Sequence, residues 1–152
     1  MEPAGGRSLA QNETDMEILS KKEIDELTAK YPLYSQDDKG GDALVLYHLF
    51  IGSADWYVTE GSREGDTVTL FGLVNMGGTV EMGYFSLAEM ESIKVPINVE
   101  MDGDDQGETG FFAYIEKDRY FRPTKIKDLK GERVRDWLQS VGYIDAESVE
   151  TE

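Results

Sequence analysis

The sequence predicts an α+β domain: a mainly antiparallel β-sheet of four to six strands with a few short helices packed on it. Three observations carry this reading. Runs rich in β-branched and aromatic residues follow one another between residues 43 and 85, separated by short turns containing glycine. Two Ser-x-x-Glu sequences, at Ser20 and Ser86, stand in front of apolar residues at helical spacing. A third apolar stripe, Val134, Trp137, Leu138 and Val141, recurs near the end of the chain. Strands gathered in the middle and helices at the ends suit an α+β arrangement.

In chain order, Ser20-Lys21-Lys22-Glu23 forms a capping box, in which the serine hydroxyl and the glutamate each satisfy an orphan amide. Ile24, Leu27 and Tyr31 then share one face and Pro32 ends the helix. A helix of about ten residues is marginal alone, so its stripe must dock on the sheet. Ala43 to Phe50 is apolar at nearly every position, which predicts one strand, central and covered on both faces. Trp56 to Glu60 and Thr67 to Val74 are the next strands, and Asn75-Met76-Gly77-Gly78 turns the chain into Thr79 to Phe85. Ser86-Leu87-Ala88-Glu89 opens a short helix carrying Leu87, Met90 and Ile93, with Pro96 closing the region. Val95 to Ile97 and Gly110 to Ile115 are expected to extend the sheet, on either side of an acidic loop. The last helix runs from about Glu132 to Val141, with Gly142 as its stop.

The chain has 152 residues, enough for one core, so we expect a single domain over 17–144 between a disordered tail, 1–16, and an acidic tail, 145–152. Against 15 Lys and Arg stand 31 Asp and Glu, a formal charge of -16. That balance argues against a direct grip on DNA, RNA or an anionic membrane, all of which need clustered cations. There is no cysteine, which excludes disulfides, thiol nucleophiles and thiolate zinc sites, and the lone His48 excludes a multi-histidine metal site. No apolar run approaches the ~20 residues of a membrane span, and the first residues lack the pattern of a signal peptide. The expected location is cytoplasmic.

Charge is uneven along the chain. Between residues 117 and 135 eight cations face only Asp118, Asp128 and Glu132, a net of +5 on a chain that is otherwise -21. This stretch can pair with the protein's own acidic surface. Alternatively, the dense carboxylates imitate a phosphate backbone and occupy the cleft of a protein that binds nucleic acid.

Few motifs carry chemistry. Asp102-Gly103-Asp104-Asp105-Gln106-Gly107 begins like a calcium loop, but Ala113 stands where the bidentate glutamate belongs. Gly72 to Thr79 has the spacing of a phosphate loop, but Gly78 replaces its lysine. His48 lies within an apolar strand and reads as a hydrogen-bonded core histidine. Glu60, Glu81, Glu116 and Asp118, at or near strand ends, are the carboxylates available for acid–base work. No catalytic residue, metal ligand or cofactor is assigned. Asp102, Asp104, Asp105 and Glu108 form the candidate partner-facing patch. The aromatics Trp56, Tyr57, Tyr84 and Tyr120 are further candidates, because paired rings on a strand point to opposite faces and one of each pair is expected outside the core.

Tyr31-Pro32-Leu33-Tyr34, Trp56 to Glu60, Leu70 to Val74, Glu81 to Glu89 and Ile115 to Pro123, in that order, resemble a bacterial and phage family of unknown function (DUF2958-like) over about residues 20–129. The resemblance implies an accessory protein of plasmids, phages and other mobile elements, with anti-defence work among its tasks. It carries over no catalytic residue. Against that family the acidic stretch around 97–113 resembles an insertion and the helix from 132 to 141 an addition.

These readings lead to a small acidic, non-enzymatic interaction protein that engages a basic host or defence protein handling nucleic acid. The alternatives are a small enzyme using strand-end carboxylates, with or without a divalent metal, and a structural subunit.

Overall fold

The computed structural model describes residues 17–98 and 108–145. Its elements are α1 (Lys21–Lys30), β1 (Leu44–Val45), β2 (Tyr47–Ile51), β3 (Ala54–Glu64), β4 (Thr67–Met76), β5 (Val80–Ser86), α2 (Leu87–Ser92), β6 (Lys94–Asn98), β7 (Glu108–Tyr114), β8 (Glu116–Lys117), β9 (Thr124–Lys125) and α3 (Glu132–Ser140). Single 3-10 turns stand at Gly40–Asp42 and Ile126–Asp128. The predicted terminal tails, apart from Asp145, and the loop acids Asp102, Asp104 and Asp105 lie outside the described residues.

The fold is α+β. A five-stranded antiparallel sheet has the order β5-β4-β3-β2-β8, so four strands follow one another as the expected meander and β8 returns from far along the chain. Strand alternation divides its side chains between two layers. On one face Leu49, Trp56, Val58 and Leu70 pack with Ile18 and Leu19, with Leu27 of α1, and with Leu87 and Met90 of α2. On the other, Tyr57 and Leu73 pack with Ile126 and Leu129 and with Val134 and Leu138 of α3.

The local signals act as read at both ends. Ser20 caps α1 in a complete capping box, and Tyr31 closes it ahead of Pro32. At α2 only the serine half forms: Ser86 Oγ accepts the N–H of Glu89. Ile93 falls beyond that helix and is exposed. Gly142, at φ 83°, follows the end of α3.

Three expectations are corrected by pairing. The apolar run from Ala43 splits, because β1 pairs with β9 while β2 pairs with β3 and β8. The central strand is therefore β3, and β2 has only the two-residue β8 on its outer side. The segments around Val95 and Gly110 do not extend the main sheet but pair with each other as the separate ribbon β6–β7. Pro96 lies inside that ribbon, next to an irregularity in register, where its missing N–H is tolerated.

Two details of β3 and β4 shape the region around Glu60. The register shifts between Val58 and Glu60, leaving Thr59 as the extra residue of a bulge, a device that bends a strand and re-aims a side chain. Opposite Val58 stands Gly72, where an added Cβ would lie 1.9 Å from the carbonyl oxygen of Tyr57. Past the bulge, the buried Glu60 accepts the backbone N–H of Tyr34 at 2.7 Å on one oxygen and that of Gln36 at 2.8 Å on the other. Gln36 in turn donates its amide to the carbonyls of Leu44 and Thr59 and accepts the N–H of Leu44. This polar pair ties the loop after α1 to β1 and β3, and it holds Tyr34 at φ 78°.

Candidate functional site

The residues richest in chemistry meet where β2, β3 and the end of β8 adjoin. His48 lies opposite Tyr57, and Phe50 opposite Asp55, so these four side chains share one face of the sheet. Asp118 is brought alongside by β8 and fixed by its own N–H, which donates to the carbonyl of His48. The imidazole then has a carboxylate on each side: Nε2 is 2.7 Å from Asp55 and Nδ1 is 3.1 Å from Asp118. Both carboxylates are braced in turn, Asp55 by the Asn75 amide at 3.1 Å and Asp118 by the N–H of Tyr120 at 3.0 Å. Beneath the imidazole, the Tyr57 ring stacks at 4.7 Å and 9°. An open cleft of about 520 Å³ lies over this group, walled by Phe50, Glu116, Lys117, Arg119 and Tyr120.

The geometry favours the charged form of the imidazole. Neutral imidazole can donate from one nitrogen only and would turn a lone pair toward the other carboxylate, whereas imidazolium donates to both. Burial pulls the His48 pKa down, but the hydrogen bonds and charges of Asp55 and Asp118 outweigh it and raise it above the ordinary histidine value. The hydrogen bond from His48, opposed by burial and helped by the N–H of Tyr120, holds Asp118 below the usual carboxylate range. Burial first, then the charges of Asp55 and Asp118, push the Tyr57 hydroxyl up to about 12. Both ring nitrogens of His48 are thus engaged by carboxylates, an arrangement that favours its charged form.

A stability profile results from the raised histidine value. The group contributes stability fully below its unfolded value of about 6.5, and the contribution disappears as pH rises through the higher folded value. Urea melts across this window are expected to show stability falling with rising pH, and Asp118→Asn should flatten the fall. An unchanged slope in that variant would show that the clamp does not control the titration.

The structure distributes the sequence candidates. Trp56 and Tyr57 are both buried, on opposite faces of the sheet, so neither is the exposed member of its pair. This corrects their assignment to a partner surface: β3 is covered by helical layers on both sides. Tyr84 is 55% exposed and packs beside Tyr34 and over Phe71. Tyr120 is 89% exposed at the rim of the cleft. The two lie toward opposite edges of the five-stranded sheet and form no joint surface. Glu108 begins β7. Of the strand-end carboxylates, Glu116 and Asp118 reach the cleft, Glu81 is exposed on β5, and Glu60 is buried. Sequence reasoning passed over Asp55, although a two-residue hairpin turn at Gly52-Ser53 already places it diagonally across from His48. Among the described residues, no group of three or more His, Cys, Asp and Glu could hold a metal ion.

Residues 18–120 match the family described as "Protein of unknown function (DUF2958)". The chain belongs to that family. No curated protein and no solved structure matches it. The DUF2958 span takes in every residue that lines the cleft, together with all five strands of the main sheet, and stops short of α3. Ile126, Leu129, Val134 and Leu138, which pack with Tyr57 and Leu73, therefore come from outside the matched residues.

Proposed function

We propose that this DUF2958 protein is a small non-enzymatic interaction factor whose acidic surface engages a basic, nucleic-acid-handling protein. The setting implied by the resemblance, an accessory role on a mobile element with anti-defence among its tasks, belongs to the same proposal. One observation carries the reading: four of the eight cations in the basic stretch are turned on the protein's own groups. Lys117 pairs with Glu23, Lys125 and Lys127 both pair with Asp42, and Arg135 donates to the carbonyls of Lys127 and Leu129. With those cations turned on the protein's own groups, the charge of -16 is carried by carboxylates in excess. Such a field attracts a cationic partner and repels phosphate. The two carboxylates that hold His48 and favour its charged form support the non-enzymatic half of the reading, since a charged imidazole is not a base.

The test is affinity capture from host lysate at low and at high salt. The expected result is a salt-sensitive set of basic, nucleic-acid-handling proteins, depleted when Asp102, Asp104, Asp105 and Glu108 are all neutralised, with no mobility shift of DNA or RNA by the protein alone. Direct nucleic-acid binding at micromolar protein would overturn the proposal, as would a captured set without basic proteins.

A further inference from the structure

A second cavity, separate from the His48 cleft, lies under the loop that Glu60 ties down. It has a volume of about 150 Å³, and its lining includes Gln36, Asp37, Glu60, Phe71, Met82 and Tyr143. Two features set it apart. Glu60 is 2% exposed and Gln36 4%, so the cavity is built on polar side chains withdrawn from water. Its lining also contains two carboxylates and neither a lysine nor an arginine.

A buried carboxylate is costly unless its charge is matched. Glu60 receives two backbone N–H groups, which satisfy one acceptor position on each oxygen, but among the described residues no cation pairs with it. Each oxygen retains capacity for a further donor. The walls suit the rest of such a donor: Phe71 and Tyr143 present aromatic rings, which attract a cation, and Ala43, Met82 and Ile126 line an apolar stem. A cavity this small favours the compact ammonium of lysine over the wider planar guanidinium.

We infer that this cavity is a receptor for an alkylammonium group, filled by a lysine side chain of the basic partner. The inference rests on the reading of that partner as basic and names how one of its residues is held. Asp37, exposed at the rim, draws the ammonium in, and Glu60 receives it at the base.

The probe is n-butylammonium, titrated into the full chain and followed by the amide resonances of Gln36, Ala43 and Thr59, with n-butanol and n-butylguanidinium as comparators. The expected result is saturable shifts with the ammonium and none at equal concentration of the alcohol. Glu60→Gln is expected to weaken binding about tenfold or more, as loss of a charge-assisted contact does. Because Glu60 also holds the loop, Asp37→Asn serves as the second variant: it leaves the bonds to Tyr34 and Gln36 in place and should weaken binding about two- to fivefold. Equal shifts with alcohol and ammonium, tighter binding of the guanidinium, or unweakened binding in both variants would overturn the inference. A protein that captures basic partners but ignores the ammonium loses this site and keeps the proposed function. One that binds the ammonium but captures no basic partner does the reverse.

Discussion

Trp56→Ala and Tyr57→Ala are each expected to lower stability by about 3–5 kcal/mol, the usual cost of truncating a large buried side chain. Neighbours on one strand commonly differ sharply, with one truncation severe and the other mild. Here they should not, because β3 is covered twice. Trp56 is enclosed with Leu49, Val58 and Leu87 on the side of α1 and α2, while Tyr57 lies with Leu73, Ile126 and Leu138 on the side of α3. Tyr57→Ala also removes the ring on which His48 stacks. Urea denaturation of both variants decides the matter. A loss below about 1 kcal/mol in either would show that its face of the sheet lies open.

Gly72→Ala is expected to be worse than either and to leave no cooperatively folded protein. Its added carbon would stand 1.9 Å from the Tyr57 carbonyl oxygen and 3.0 Å from Val58 Cα, and both obstacles are backbone. No rotamer change relieves such an overlap, so β3 and β4 would have to part beside the bulge. Gly83, the cross-strand neighbour of Gly72 on β5, supplies the control. Nothing lies within 4 Å of a Cβ built there, and Gly83→Ala should change stability by no more than about 0.5 kcal/mol. Thermal melts that placed the two variants together would remove steric exclusion as the reason for glycine at position 72.

What the sequence made legible was local. The Ser20 box, the end of α1 before Pro32 and the turns of the meander depend on residues a few positions apart, and the structure has them where the sequence put them. Choice of partner was not legible. Nothing within Ala43 to Phe50 says that its first half pairs with Thr124–Lys125 and its second with β3 and β8, because those contacts join distant stretches. Likewise, Val95 to Ile97 and Gly110 to Ile115 carried strand composition without stating that they would pair only with each other. His48 shows both cases. A hydrogen-bonded histidine was readable from its apolar strand, but Asp118 stands 70 residues away and no spacing rule connects them. Glu60 was hidden for a different reason: period-two alternation fails at a bulge, so a carboxylate that reads as a strand-end group is turned under a loop instead.

The covering of the sheet by stretches that precede and follow the meander has a consequence in time. During synthesis α1 and the meander leave the ribosome in order, so the face packed by Leu27 has its helix at hand as the strands pair. The opposite face has none. Tyr57 and Leu73 wait for Ile126, Val134 and Leu138, which are made after every strand of the main sheet, and β8 cannot close beside β2 before residue 117 has emerged. Until then the nascent sheet presents one apolar side to its surroundings, the kind of surface on which chaperones act and aggregation begins.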